Sequence, residues 1–136
     1  MKKTGGQIEL DVFNLLRDEL KTAIGGDVYL QGTRPFDSRN EDVLVSFMTG
    51  RDADIQRGVV TITVFVPDID FGGGKLVKDI ARCNQLEAFM LDLVSHLKSE
   101  YKFSLERTIQ SFPEPDIHQH FIDVKLDYKR FSVDYE

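Results

Sequence analysis

The stretch DIDFGGGK, residues 68–75, contains the residue types best suited to binding an ion. Asp68 and Asp70 offer the carboxylate oxygens that hard divalent cations prefer, and the three glycines would let backbone amides approach a phosphate. The spacing of these residues fits neither a known calcium loop nor a known phosphate loop. An EF-hand loop needs further acidic ligands and a closing Glu, and a phosphate-binding loop needs the sequence G-x-x-x-x-G-K-[ST]. The simplest interpretation of residues 67–75 is a flexible connector at the end of a strand.

Histidines and a single cysteine are the other side chains suited to chemistry. His118 and His120 are two residues apart, so on a strand they would project from the same face, as two zinc ligands can. No third ligand stands at a conventional distance, although Cys83 and His96 could contribute to a composite site. Cys83 falls within an apolar helical repeat, which favours a small buried hydrophobe over a nucleophile. No nucleophile elbow, H-E-x-x-H or dinucleotide fingerprint occurs, so we predict no enzyme activity, cofactor or resident metal.

The bulk composition narrows the class of protein. At 136 residues the chain fits one domain, residues 1–136, of which 1–6 can be disordered. No run of about 18 apolar residues occurs, which argues against a membrane span. With 17 Lys and Arg against 23 Asp and Glu the net charge is −6, and no basic block exceeds two residues. Sequence-specific binding to nucleic acid is therefore not expected.

Hydrophobic periodicity predicts the elements that position these residues. An apolar repeat over Gln7–Ile24 predicts a first helix that GG at 25–26 ends, and a second repeat over Leu76–Leu97 predicts a helix of about 20 residues. Phe131 and Val133 change phase in the last strand, which suggests a bulge or a strand leaving the sheet. Strands are predicted at residues 27–32, 42–49, 59–66, 102–112 and 119–133.

This order, α-β-β-β-α-β-β, predicts an α+β fold. A mostly antiparallel sheet would carry both helices on one face. The broad apolar surface of the second helix suggests that the sheet covers one side and that the first helix or another subunit covers the other.

The loops flanking the middle strand form the candidate subunit interface. They contain arginines that could pair with acidic groups of a neighbouring chain, and apolar residues that a monomer would expose. Solvated loop charges are the alternative interpretation of the arginines. The candidate residues are Arg34, Phe36, Arg39, Arg51, Ile55 and Arg57.

These elements resemble the tail-terminator and tail-completion proteins of long-tailed bacteriophages and prophages. The resemblance lies in VFNLLRDELKTAIGGDVYLQGTRPFDSRNEDVLVSFMTG, in GVVTITVFVPD and in the helix ARCNQLEAFMLDLVSHL, and covers roughly Leu10 to Leu97. It implies a non-enzymatic subunit that forms a ring, commonly six-fold, at the head–tail junction. The expected partners are other copies of the chain and tail or head-connector proteins. The expected location is the bacterial cytoplasm during assembly and then the virion tail.

The sequence is compatible with two alternative functions. A metal-dependent hydrolase or nuclease would use Asp68, Asp70 and His118 or His120, and would require bound metal. A monomeric adaptor would instead bind a peptide along an open edge of the sheet.

Overall fold

The computed structural model describes residues 1–131, in which two long antiparallel strands form the centre of a six-stranded sheet. In chain order the elements are α1 (Gly5–Ala23), β1 (Val28–Leu30), β2 (Val43–Arg51), β3 (Ile55–Pro67), β4 (Ile69–Asp70), β5 (Leu76–Val77), α2 (Ile80–Ser95), β6 (Lys102–Leu105), β7 (Gln110–Glu114) and β8 (Gln119–Phe131), with a 3₁₀ turn at Pro115–Ile117.

The strands lie in the order β1-β2-β3-β8-β6, and β7 also pairs with β8. Among residues 1–131, β1 and β2 form the one parallel pair, and the other pairings are antiparallel. The predicted α+β class and the predicted order of elements are confirmed. No helix among residues 1–131 is long and apolar enough to cross a membrane.

One face of the sheet carries both helices. Alternate residues of β3 and β8 point to this face, because successive side chains of a strand lie on opposite sides. They form one buried cluster with the apolar stripe of each helix, and the prediction of two helices on one face is correct. The cluster includes Ile8, Val12, Leu16 and Leu20 of α1, Cys83, Leu86, Met90 and Leu93 of α2, and Val60, Ile62, Val64, Val66, Ile122, Val124 and Leu126 of the sheet.

The elements between β3 and β8 differ from the prediction in their bounds. Helix α2 begins at Ile80, where the Asp79 carboxylate accepts a hydrogen bond from the Arg82 amide at 3.1 Å. Leu76 and Val77, assigned to that helix from the sequence, instead form β5. The single strand predicted at 102–112 is interrupted, since β6 and β7 pair with successive parts of β8 and residues 106–109 lie between them.

The hairpin of β2 and β3 is longer than predicted. The predicted strands at 42–49 and 59–66 leave residues 50–58 as a loop, but Gly50 and Gly58 pair with each other within the sheet and residues 52–54 connect the strands. A Cβ on Gly58 would lie 2.1 Å from the Thr49 carbonyl oxygen and 2.7 Å from Cε2 of Tyr128. Glycine is required here by the close approach of its neighbours and not by a turn.

The N-terminal residues are held to the rest of the protein from Lys3 onward. The Lys3 Nζ donates to carboxylates of Asp11 at 2.5 Å and Glu100 at 2.8 Å. Thr4 caps α1 by accepting from the Gln7 amide at 3.3 Å, and its own amide donates to the Gln7 side chain. These contacts tie Lys3 and Thr4 to α1 and to Glu100, and that residues 1–6 can be disordered stays a prediction. The predicted phase change at Val133 lies outside the described residues.

We predict that Gly58→Ala lowers the free energy of unfolding by about 1–3 kcal/mol, because the added methyl group meets fixed backbone. Chemical denaturation monitored by circular dichroism would measure the change. Gly6→Ala is the matched control, since nothing lies within 4 Å of its Cβ and Gly6 lies in α1. A Gly58→Ala protein as stable as the wild type would contradict the packing around Tyr128.

Candidate functional site

Arg34, a predicted interface residue, lies inside the protein. Its Nε donates to Asp42 Oδ2 at 3.0 Å, and its guanidinium lies 3.7 Å above the ring of Phe65. The side chain of Arg34 is 9% exposed and that of Asp42 is 0% exposed. A second donor group of Arg34 reaches the Gln119 side chain at 3.2 Å. Arg34 therefore fixes the loop between β1 and β2 and is not available to a neighbouring chain.

Asp42 is the centre of this cluster. Burial alone would raise the pKa of its carboxyl, but three hydrogen bonds to the charged form outweigh burial and lower the pKa below 3.8. The donors are the Ser38 hydroxyl at 2.6 Å, the Asp27 amide at 2.9 Å and Arg34. The loop at 31–42 is thus anchored on a buried carboxylate.

The same loop exposes the other two predicted residues of this segment. Phe36 is 92% exposed, which is unusual for a large aromatic side chain. Arg39 is exposed, and its guanidinium donates to the nearby backbone carbonyls of Asp37 and Ser38. Phe36 and Arg39 remain candidates for contact with another chain.

Arg51, Ile55 and Arg57 lie at the opposite end of the sheet. The loop with Phe36 precedes β2, whereas Arg51 ends β2 and pairs with Arg57 across the hairpin. At about 3.3 Å per residue, the nine residues of β2 separate these ends by roughly 25–30 Å. The predicted interface residues therefore form two separate surfaces and not one.

A basic groove crosses the helix-free face of the sheet at the Arg51 end. The groove has a volume of about 530 Å³ and runs over β2, β3, β8 and β6. Four cationic side chains and one carboxylate line it, namely Arg51, Arg57, Lys102, Lys129 and Asp127. Within residues 1–131 none of these four cations is within ion-pair distance of a carboxylate. Because these cations outnumber the carboxylate, the groove attracts an anionic group of a binding partner even though the chain as a whole is acidic.

The segment predicted to be a flexible connector instead contains a short β-hairpin, β4 and β5. The Phe71 amide donates to the Lys75 carbonyl at 2.9 Å, and the Gly72 amide donates to Asp70 Oδ1 at 2.8 Å. Gly72, Gly73 and Gly74 have φ values of 120°, 64° and 80°, which side-chain-bearing residues rarely adopt. The three glycines thus build a turn.

Contacts at its base fix the hairpin to the sheet. The Asp68 amide donates to the His118 carbonyl at 2.9 Å, and His120 Nδ1 lies 2.8 Å from Asp68 Oδ1. On the other strand, Lys78 Nζ donates to the Ser111 hydroxyl at 2.6 Å. Both ends of the hairpin are therefore attached near the start of β8 and β7.

Five of the large apolar residues that are exposed within residues 1–131 lie in or next to the hairpin. Phe71 is 81% exposed, and four neighbours are also exposed: Ile69, Leu76, Val77 and Ile80. This surface was not predicted, because the three glycines favoured a flexible connector. The apolar residues on both sides of them, IDF and LV, were the available signal for a hairpin. An exposed apolar group of this kind typically marks a protein contact.

The residues proposed for a metal site come together only in part. Asp68 meets His120, but the Asp70 carboxylate bonds to the turn, and His118 precedes β8 in the left-handed conformation with φ of 54°. His118 is thus not on the strand that was expected to align the two histidines. Among residues 1–131 no three or more His, Cys, Asp or Glu side chains are grouped to hold a metal ion.

Cys83 lies in the core between α2 and the sheet. It is fully buried, and burial raises the pKa of its thiol above 9.0. A high pKa disfavours the thiolate, which is the reactive form. The apolar repeat of α2 predicted this position from the sequence.

Comparisons with known proteins support the fold class and add no function. No family model matches the chain, and no curated protein matches it. One solved structure, of a protein whose name states no function, is similar over 99% of this chain and 100% of its own. Its sequence identity is 19% and the TM-score is 0.54, so the likeness shows a shared α+β fold alone.

We predict that Asp42→Asn lowers the free energy of unfolding by about 3–5 kcal/mol at pH 7, because it leaves Arg34 buried without its counter-charge. Since folding lowers the pKa of Asp42, its contribution is complete above about pH 4, the ordinary value, and is lost as pH falls through the folded pKa. The difference between the variant and wild type should shrink in acid. Denaturant titrations between pH 3 and 7 would measure it, with the exposed Asp37→Asn as control.

We also predict that Gly72→Ala loosens the hairpin locally, by about 1 kcal/mol or more, because its φ of 120° is strained for alanine. Amide hydrogen exchange at Phe71 and Lys75 should accelerate while the global unfolding transition stays unchanged. Gly25→Ala is a control outside the hairpin, with nothing within 4 Å of its Cβ. Unchanged exchange at Phe71 would mean that the turn does not depend on this glycine.

Proposed function

We propose that the protein is a non-enzymatic structural subunit that assembles with copies of itself into a ring. The observation that carries the proposal is the anchored hairpin with its exposed apolar residues, above all Phe71. A surface held in place by hydrogen bonds at its base is already ordered before it binds, which lowers the entropic cost of association. Exposed aromatic side chains are typical anchors of protein interfaces.

The exposed surfaces lie at two opposite ends of the sheet, and this arrangement favours a ring over a symmetric dimer. The hairpin and the loop with Phe36 lie at one end of the sheet, while Arg51 and Arg57 lie at the other. Different patches at opposite ends of a subunit give head-to-tail contacts, which form rings when the rotation closes.

The particular ring that we propose is the tail-completion or tail-terminator ring of a phage or prophage. The support is the resemblance of residues 10–97 to that group of proteins, together with the matching α+β order of elements. Tail and head-connector proteins would be its further partners, and assembly would occur in the bacterial cytoplasm before the ring joins the virion tail. A six-fold ring would have a mass near six times the 15.6 kDa of one chain.

The metal-dependent hydrolase is the weaker proposal. It rests on the single contact between Asp68 and His120, and the structure gives that contact a different role at the base of the hairpin. A monomeric adaptor could use the same hairpin for a different protein, and the mass in solution separates these two possibilities.

We predict that the wild-type protein forms a defined oligomer without bound metal and that Phe71→Glu shifts it to monomer, because a charge replaces the apolar anchor. Light scattering behind a sizing column, at several protein concentrations and with metal analysis of the peak, would measure both. Leu10→Glu, on the exposed side of α1, is the control and should leave the mass unchanged.

Three results would contradict this proposal. A wild-type monomer at every concentration would favour the adaptor, and stoichiometric metal would favour the hydrolase. If Phe71→Glu kept the wild-type mass, the hairpin would not be part of the contact. In that case Phe36→Glu would test the other exposed aromatic residue at the same end of the sheet.

A further inference from the structure

The basic groove has the composition of a site for an aromatic side chain next to a carboxylate. The four cations form one row across the helix-free face at the rim of the groove, because Arg51 pairs with Arg57, Arg57 with Lys129 and Lys129 with Lys102. Val59 lies beside this row on the same face, between Thr49 and Asp127 of the neighbouring strands. The rings of Phe103 and Tyr128 face the helices, since their positions alternate with those of the cations. An aromatic ring could pack against Val59 and the guanidinium groups while an anionic group pairs with the rim.

The tip of the hairpin offers this combination. Phe71 is 81% exposed and directly follows Asp70, which is also exposed. One oxygen of the Asp70 carboxylate accepts from the Gly72 amide at 2.8 Å, and this bond holds the carboxylate at the turn of the hairpin. Lys75, across the turn, is the nearest opposite charge in sequence and shows no bond to Asp70 within the described residues.

The same chain cannot bring these two surfaces together. The groove contains Arg57 and Val59 near the start of β3, whereas the hairpin follows Pro67 at its end. At about 3.3 Å per residue, Arg57 and Pro67 are separated by roughly 30 Å along a strand held rigidly in the centre of the sheet. A tip that fills the groove must therefore belong to a second copy.

We propose that Phe71 of one copy occupies the groove of the next copy, with Asp70 paired to the rim arginines Arg51 and Arg57. This inference rests on the proposed assembly function and names the two surfaces that meet. The contact is head-to-tail, since each copy donates a hairpin at one end and accepts one at the other. Burial of the aromatic ring supplies affinity, and the charge pairing sets the register between the copies.

A charge-reversal pair tests the contact. Arg57→Glu alone and Asp70→Lys alone should each weaken self-association at least about tenfold, because like charges then meet in the joint. The double variant, Arg57→Glu with Asp70→Lys, should recover most of this loss, since the pair is restored with opposite polarity. Sedimentation equilibrium at fixed ionic strength would measure the association constants. Lys98→Glu, outside the groove, is the matched control for added negative charge.

Cross-linking locates the contact while Asp70, the rim arginines and Phe71 stay unchanged. Lys75→Cys in the hairpin and Ser104→Cys in the groove, combined in one chain, should give a ladder of covalent multimers with a short bismaleimide. Cys83 does not interfere, because it is the only native cysteine and is fully buried. Asp37→Cys with Ser104→Cys is the control, since Asp37 adjoins Phe36, another exposed aromatic residue, and should give no ladder.

Four other outcomes would contradict the inference, and they distinguish failure of this contact from failure of the assembly function. If the protein is oligomeric but the double reversal does not recover association, the hairpin and the groove do not meet, while the assembly function stands. If Asp37→Cys gives the ladder instead, the loop with Phe36 fills the groove. If the wild type is monomeric throughout, the inference and the assembly function both fail. If duplex DNA binds and Arg57→Glu abolishes that binding without changing the mass, the groove is a phosphate site.

Discussion

The pairing of β3 with β8 is the constraint on which the rest of the structure depends. These strands pair without interruption from Ile55 with Phe131 to Pro67 with Gln119. Their inner faces contact α2, while α1 packs mainly on the neighbouring strands β2 and β1, and the side chains of all these elements form one core. Their length also sets the distance between the hairpin and the groove, which lie at their two ends. Whatever the protein binds, it presents these surfaces at a fixed separation.

Two buried polar clusters hold the ends of this central pair. At one end, Gln119 of β8 bonds to Arg34, which pairs with Asp42. At the other, Arg130 of β8 donates to Gln56 of β3 and to Glu100. No buried side-chain nitrogen or oxygen within residues 1–131 lacks a hydrogen-bond partner. Removing one member of such a cluster leaves a buried charge unpaired, so the clusters fix the register at each end.

Sequence periodicity predicted the elements whose side chains face one core. The stripes of both helices and the alternation in β3 and β8 follow directly from burial on one side. Predictions from the sequence were wrong where one residue type occurs both in loops and in the packed interior. Gly50 and Gly58 look like loop residues but permit close packing over Tyr128, and Arg34 looks like a solvated loop charge but is buried against Asp42. Residues far away in the sequence determine whether such a glycine or arginine is buried, and a local sequence pattern carries no information about those residues.

The proposed contact between the hairpin of one copy and the groove of the next would also change the charge of the accessible surface. The chain has a net charge of −6, yet four cations gather in one groove with a single carboxylate. If a neighbouring hairpin covers that groove, the cations are withdrawn from the accessible surface, and the surface that remains becomes more acidic than the isolated subunit. A ring built in this way would repel the phosphates of DNA passing through it. Burying the basic groups in the contact between copies would therefore serve the assembly of the ring and also the passage of DNA through it. A conduit at a head–tail junction requires both.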